Sequence, residues 1–454
     1  MGDVKMNNKQ RIRRPLATLL LALTVSACSG GSDGKGADDG GGASSKLQDV
    51  TKAPVELTFF TSYSTLMSDL SQEGFMNDFG QYMQKKYPNF SFKPIFGSTT
   101  KETIQTIVAS KTPIDIIQIS PVQTFNFVDL GLSSDISDLI KKYKLDLSHV
   151  EPSSLDLLTK AGNNQLVGLP YQMNSLVLFY NKDLFDKFGV PYPKDNMTWN
   201  ETADIVRRTT RQDGGVQYIG FGNQQGWANI LRSNQLSIEP INLATNKVTY
   251  ENGDWKRLFD QLHPIFQVPG NGINTEAVSM NLFIKERRLS MILSYPEYYQ
   301  RFPSDLNWDV VTSPQLADRP GVNFAPVPIV LAPVAYSPKR DAAFLAISEM
   351  LSEEVQLLRA RKYAISSVLT DKKFREQMGA EVPALQGKNR QVMQPVNMAK
   401  SITFSPLTSD AMNGIGTAFS DTMSGKKDAN TALREQAEAA NKKIAEKLEA
   451  EGKK

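Results

Sequence analysis

The chain has 454 residues, 40% of them hydrophobic and 22% charged, with a formal charge of +3. Residues 1–27 carry Lys5, Lys9, Arg11, Arg13 and Arg14 against Asp3. That is +4 of the +3 total, so the rest of the chain stands near −1, which removes an electrostatic footing for nucleic acid or a polybasic membrane surface. A single cysteine, Cys28, excludes a disulfide framework in the folded part, and only two histidines, His149 and His263, stand in unrelated contexts.

The basic stretch is followed by an apolar run, residues 16–25, of signal-peptide length and too short to cross a bilayer comfortably. Val25-Ser26-Ala27-Cys28 then resembles the lipobox of bacterial lipoproteins, which implies cleavage after residue 27 and acylation of Cys28. Two or three acyl chains on one cysteine anchor stably where one is marginal. Residues 29–45 are nearly all Gly, Ser, Asp and Ala, a tether with nothing to bury. Residues 1–27 are therefore expected to be a signal peptide and 28–54 a lipidated cysteine with its tether.

About 400 residues remain, too many for one core, and two domains are the default. Residues 55–61 alternate and run into the small-polar cluster Thr61-Ser62-Tyr63-Ser64-Thr65, a strand and its loop. Phe75, Phe79, Tyr82, Met83 and Tyr87 recur at helical spacing. Residues 90–96 read as a second strand. Thr99 or Thr100 caps a helix carrying Ile104, Ile107 and Val108, and residues 114–120 are apolar enough for a central parallel strand. This β-α-β-α-β order predicts a parallel α/β lobe with right-handed crossovers, which binds ligands outside its strand C-terminal ends.

Gly168-Leu169-Pro170-Tyr171 is biased to extended backbone, and residues 176–180 follow as a buried strand. Residues 183–188 read as a short helix closed by Gly189, and Thr198 as an N-cap with Glu201 as its capping-box partner. An extended segment leading into a new buried strand has the form of a crossing between lobes, with residues 328–332 as the return. Between them lie a helix at 199–211, a strand at 216–222, a helix at 255–266 and strands at 289–295 and 308–314. Helices at 342–351 and 353–358 and an amphipathic C-terminal helix at 433–448 complete the chain.

Gly168-Leu169-Pro170-Tyr171, Tyr180-Asn181-Lys182-Asp183-Leu184-Phe185, Gly189-Val190-Pro191 and Thr198-Trp199 together resemble the extracellular solute-binding proteins of bacterial ABC importers. The likeness is to the carbohydrate branch, family 1, with its maltose-binding members. Residues 130–139, 289–295 and 308–314 extend it over most of the chain beyond the leader. The resemblance implies a two-lobed α/β fold of the type II periplasmic-binding-protein kind. Lobe 1 would hold 55–170 and 328–375, lobe 2 would hold 176–325 and 376–454, and the hinge would lie near 171–175 and 328–332. Tyr363-Ala364-Ile365-Ser366-Ser367 departs from the family, whose members often have Gly and Pro there.

The chain has no Gly-x-Ser-x-Gly, His-Glu-x-x-His or Walker A motif, and Gly97-Ser98-Thr99-Thr100-Lys101 lacks the first glycine of a phosphate loop. No pair of carboxylates stands out for glycoside hydrolysis among 48 acidic residues. Binding is better supported, because aromatic rings cover the C–H faces of sugars while amides and hydroxyls satisfy their hydroxyl rims. The strand-end loops supply both in Tyr63, Ser120, Gln123, Tyr171, Asn174, Gln225, Trp227, Tyr295 and Tyr298. The resemblance places Asn174 where maltose-binding members have a sugar-contacting acid, Gln225 and Trp227 at a polar and aromatic sugar-binding pair, and 295–299 at a stacking Trp. For each aromatic the competing reading is core packing, which is the expectation for Trp199, Trp255 and Trp308.

The expectation is a monomeric, non-enzymatic, lipid-anchored receptor on the extracytoplasmic face of the cell membrane. It would need no cofactor or metal, bind no nucleic acid, close on a mono- or oligosaccharide and pass it to an ABC permease. The alternatives are a surface-anchored polysaccharide-degrading enzyme and a sensor subunit serving a membrane kinase. A third is a binding protein of the same superfamily for Fe(III), suggested by Tyr298-Tyr299, or for another solute.

Overall fold

The computed structural model describes residues 50–61, 71–98, 101–224, 226–272 and 276–452. In chain order the first strands are β1 (Val55–Thr61), β2 (Phe90–Phe96), β3 (Ile116–Ile119), β4 (Leu169–Asn174), β5 (Val177–Asn181) and β6 (Arg211–Asp213). They are followed by β7 (Val216–Asn223), β8 (Ile241–Asn242), β9 (Lys247–Val248), β10 (Leu289–Ser294), β11 (Trp308–Thr312) and β12 (Val327–Pro333).

The first sheet has the order β2-β1-β3-β12-β4. β1 is parallel to both neighbours, as the alternating pattern predicts. The sheet as a whole is mixed, because β12 runs antiparallel to β3 and to β4. The chain leaves this lobe along β4 and returns along β12, so the two crossings lie side by side in opposite directions. β4 is the sheet's edge strand, the position in which Pro170 removes no ladder donor that a neighbour needs. Helix residues Phe75 and Phe79 pack their rings on Phe59 of β1, both at 5.0 Å. The helix carrying them contains a π-helical segment, Met76–Gly80, between two α-helical pieces.

The second sheet has the order β11-β5-β10-β7-β6. The expected capping box is present: Thr198 Oγ1 accepts from the Glu201 amide at 3.2 Å, and Glu201 Oε2 accepts from the Thr198 amide at 2.7 Å. Helix Lys182–Phe188 ends on Gly189 in the left-handed region, also as expected. The helix expected over 199–211 stops at Thr209, and β6 begins at Arg211. Gly214 and Gly215, with φ of 57° and 81°, make the two-residue turn that folds β6 onto β7. A hairpin turn with two positive φ angles is a place for Gly-Gly. Trp199, Trp255 and Trp308 are all buried.

Helix Thr408–Met423, which periodicity did not reveal, packs beside the C-terminal helix Ala429–Ala450. It carries Gly414 where a Cβ would stand 2.6 Å from the Tyr250 hydroxyl, so the close approach of Tyr250 needs glycine. Ala432, Leu433 and Ala437 of the last helix share an apolar cluster with Trp255 and Phe419. No helix among the described residues is long and apolar enough to cross a membrane.

Candidate functional site

Beneath the site lies the crossing, which is wired by buried polar side chains. Gln118 of β3 accepts from the Thr61 hydroxyl and donates to Tyr171 Oη at 2.7 Å. Tyr171 is 1% exposed, its ring 5.4 Å from Phe79 and 4.9 Å from the Arg359 guanidinium. Arg359 is itself buried. It donates to the Tyr171 carbonyl at 3.3 Å and to Gln172 Oε1 at 3.0 Å, and Gln172 Nε2 donates to Asn174 Oδ1 at 3.0 Å. An amide and guanidinium relay therefore runs along β4 to its last residue.

A third strap joins the two crossings foreseen from sequence. It lies in the segment that departs from the family pattern. The Met173 amide donates to the Ser366 carbonyl at 3.2 Å, and Ser366 Oγ to the Met393 carbonyl at 2.7 Å. Gln356 Nε2 donates to the Tyr171 carbonyl at 2.8 Å, while its Oε1 accepts from Ser367 Oγ at 2.7 Å. Ala364 takes the left-handed turn, φ 51°, that a glycine would otherwise supply. Beyond the strap, Met378 and Leu385 pack with the second sheet's Phe179 and Val310, whereas Val368 packs with the first sheet's Leu57.

On the first-lobe wall, Ser120 and Gln123 flank the 3-10 turn Pro121–Gln123 that follows β3, both part-buried. Val122 between them packs against the apolar cluster that holds Leu178, Phe221 and Trp255, so this turn reaches the second lobe. Tyr63 and Gln225 lie outside the described residues.

The second-lobe wall is aromatic. Trp227 opens helix Trp227–Arg232 after β7 and remains part-exposed. It stacks on Phe221 at 6.2 Å and meets Phe266 at 4.7 Å and Phe419 at 5.2 Å. The core-packing reading thus holds for part of its ring. Tyr295, directly after β10, packs against the same cluster. Beside it the Ser294 hydroxyl is buried without a hydrogen-bond partner among the described residues. The Tyr298 ring lies 4.6 Å from the Arg301 guanidinium. Tyr299 is buried, its hydroxyl donating to the Tyr363 carbonyl at 3.2 Å, and burial pushes its phenol up to about 12. Neighbouring Tyr298 and Tyr299 therefore engage different partners instead of converging on one point. Burial also raises the Glu297 carboxyl to about 7, against the pull of its own amide and of Arg301.

The structure places Ser120 and Gln123 on one wall, Asn174 and Tyr171 in the frame of the crossing, and Trp227 and Tyr295 on the other wall. Tyr298 sits further along that wall. Sequence reasoning missed Ser294, Glu297 and Arg232. The signal for Arg232 was available, since the positions three and four residues away hold Ala228, Asn229, Gln235 and Leu236, none of them acidic. Among the described residues no cluster of His, Cys, Asp and Glu could hold a metal ion.

Residues 61–357 match the family described as bacterial extracellular solute-binding protein, and the chain belongs to that family. A curated relative is the sn-glycerol-3-phosphate-binding periplasmic protein of Salmonella paratyphi A, 21% identical over 182 residues. That match covers 39% of this chain and 41% of the relative, so the chain spans well under half of that protein's length. Among solved structures, a sugar transporter protein of Rhizobium etli in an open conformation is similar with a TM-score of 0.67 at 19% identity, covering 85% of this chain and 98% of that one. The sugar-binding protein MalE of Xanthomonas citri is similar with a TM-score of 0.67 at 15% identity, covering 88% of this chain and all of the other. At these identities the likeness shows the fold: a two-lobed α/β solute-binding architecture.

Proposed function

We propose that this protein is the solute-capturing subunit of an ABC importer, holding a mono- or oligosaccharide between its lobes and delivering it to a membrane permease. Lobe 1 comprises 55–170 and 328–375, and lobe 2 comprises 176–325 and 376–454. A signal peptide, 1–27, directs export and is cleaved, and the acylated Cys28 with its tether, 28–54, holds the monomer at the outer face of the cell membrane. What supports this reading is that Val122, between Ser120 and Gln123, packs against the same apolar cluster as Trp227 and Tyr295, which brings the loops that carry these four residues toward one another. Part-exposed rings and amides at strand ends fit a guest with C–H faces and hydroxyl edges. The similar proteins include sugar binders, which points the same way.

The guest stabilises the closed state by its differential affinity for two walls over one. A thermal-shift screen against a carbohydrate library tests this, because a ligand at 100 times its Kd adds about 2.7 kcal/mol. A rise in melting temperature with one sugar class and no product supports capture, whereas turnover without saturable binding overturns it. Cys28→Ala should move the protein out of the membrane fraction, and retention there would refute the anchor.

A further inference from the structure

Arg232 closes helix Trp227–Arg232, on the wall that carries Trp227 and Tyr295. Its surroundings locate it well. Tyr295 is the group that acts on its charge electrostatically. The next residue, Ser233, accepts from the Ala325 amide at 2.9 Å, which ties the helix end to the segment entering β12. Arg232 therefore stands near Tyr295, which follows β10, and next to a residue bonded to the segment entering β12.

Its bonding is incomplete. Nη1 donates to Asn229 Oδ1 at 2.7 Å, while a guanidinium carries five N–H donors. None of the salt bridges formed among the described residues involves Arg232. Burial pulls the guanidinium below its ordinary range, and no carboxylate opposes that pull. A part-buried arginine without a counter-ion is costly to keep, and its planar donors suit a carboxylate or phosphate. The buried hydroxyl of Ser294, the residue before Tyr295, is also without a hydrogen-bond partner among the described residues.

We propose that the captured solute is an acidic carbohydrate or polyol, carrying a phosphate or carboxylate that Arg232 binds while Trp227 and Tyr295 cover its apolar face. The proposal rests on the solute-capture reading and narrows it to one substrate class. Arg232 is then a specificity determinant, because a neutral guest leaves its charge uncompensated.

The test is titration calorimetry of the full folded chain with matched probes: glycerol 3-phosphate against glycerol, and glucuronate against glucose. The anionic member of at least one pair should bind about 10- to 100-fold more tightly, the span of a charge-assisted hydrogen bond. Whichever pair shows the preference identifies phosphate or carboxylate as the recognised group. In Arg232→Gln, which keeps a donor for Asn229, the ratio should fall to about 1. In Arg232→Lys part of it should return, and unchanged melting temperatures would show that both variants fold.

Neutral members binding as well as their anionic partners would overturn the proposal, as would a preference that survives Arg232→Gln. A protein that binds neither pair but binds maltotriose also overturns it while leaving carbohydrate capture intact. Failure with all five probes counts against both readings.

Discussion

Along the crossings, Gln118, Gln172, Gln356 and Gln394 each engage neighbours through both ends of their amides. Around the end of β10 and helix Trp227–Arg232, the Ser294 hydroxyl and most donors of Arg232 engage nothing among the described residues. Both regions are polar and both are at least partly buried, so burial alone does not separate them. What separates them is the degree of satisfaction: the four glutamines use both ends of their amides, although the Nε of Arg359, which bonds Gln172, is buried without a hydrogen-bond partner among the described residues. A fully bonded network fixes geometry, whereas an unsatisfied group marks a place where a partner from outside the chain is expected.

Within the crossing, Arg359 is bonded through Nη1 and Nη2, and its truncation should have the largest effect. Arg359→Ala removes two hydrogen bonds from β4 and a ring contact to Tyr171 while opening a cavity, so a loss of roughly 3 kcal/mol is expected in urea unfolding. A loss below about 1 kcal/mol, the worth of one net hydrogen bond, would show that the frame tolerates its removal. Trp227→Ala comes next. Three ring contacts suggest about 2 kcal/mol of destabilisation, with at least several-fold weaker solute binding by calorimetry. Lost stability with unchanged affinity would assign this tryptophan to the core alone.

Glu297 gives a pH signature. Its folded carboxyl is raised to about 7 by burial, above the ordinary value of 4.5. The folded state therefore binds the proton more tightly than the unfolded chain. The contribution is fully present below about 4.5 and is lost as pH rises toward 7. Glu297→Gln should flatten the fall in unfolding free energy across that window, and an identical slope in both proteins would contradict the assignment. The smallest effect is expected far from both regions. Lys144 caps helix Ser137–Tyr143 with φ 52° and is exposed, so Lys144→Gly should stabilise by about 0.5 kcal/mol in the same unfolding assay.

Much of the frame was legible because local chemistry dictates it. Thr198 with Glu201 and Gly189 after Phe188 each fix one helix end. Pro170 fits an edge strand, and the alternation at 55–61 and 90–96 gave the paired strands. The reversed β12 was not legible in strand orientation, because direction within a sheet follows from where the chain returns. The strap near Ser366 was hidden for the same reason: its bonds to Met173 and Met393 join residues far apart in sequence. Helix Thr408–Met423 was obscured by Gly414 and Gly416, which lower helix propensity, although Gly414 is required by Tyr250. At the strand-end loops, residue types could nominate candidates but could not reveal satisfaction. Tyr171 is wired into the crossing, while Arg232, on no motif, stands without a counter-ion among the described residues.

The central claim is that a solute is held between two lobes that close on it. Small-angle X-ray scattering of the protein without solute, and then saturated with the sugar that stabilises it most in the thermal-shift screen, addresses this directly. Closure predicts a smaller radius of gyration with solute and its recovery on dialysis. An unchanged scattering curve under calorimetrically proven saturation would contradict the account.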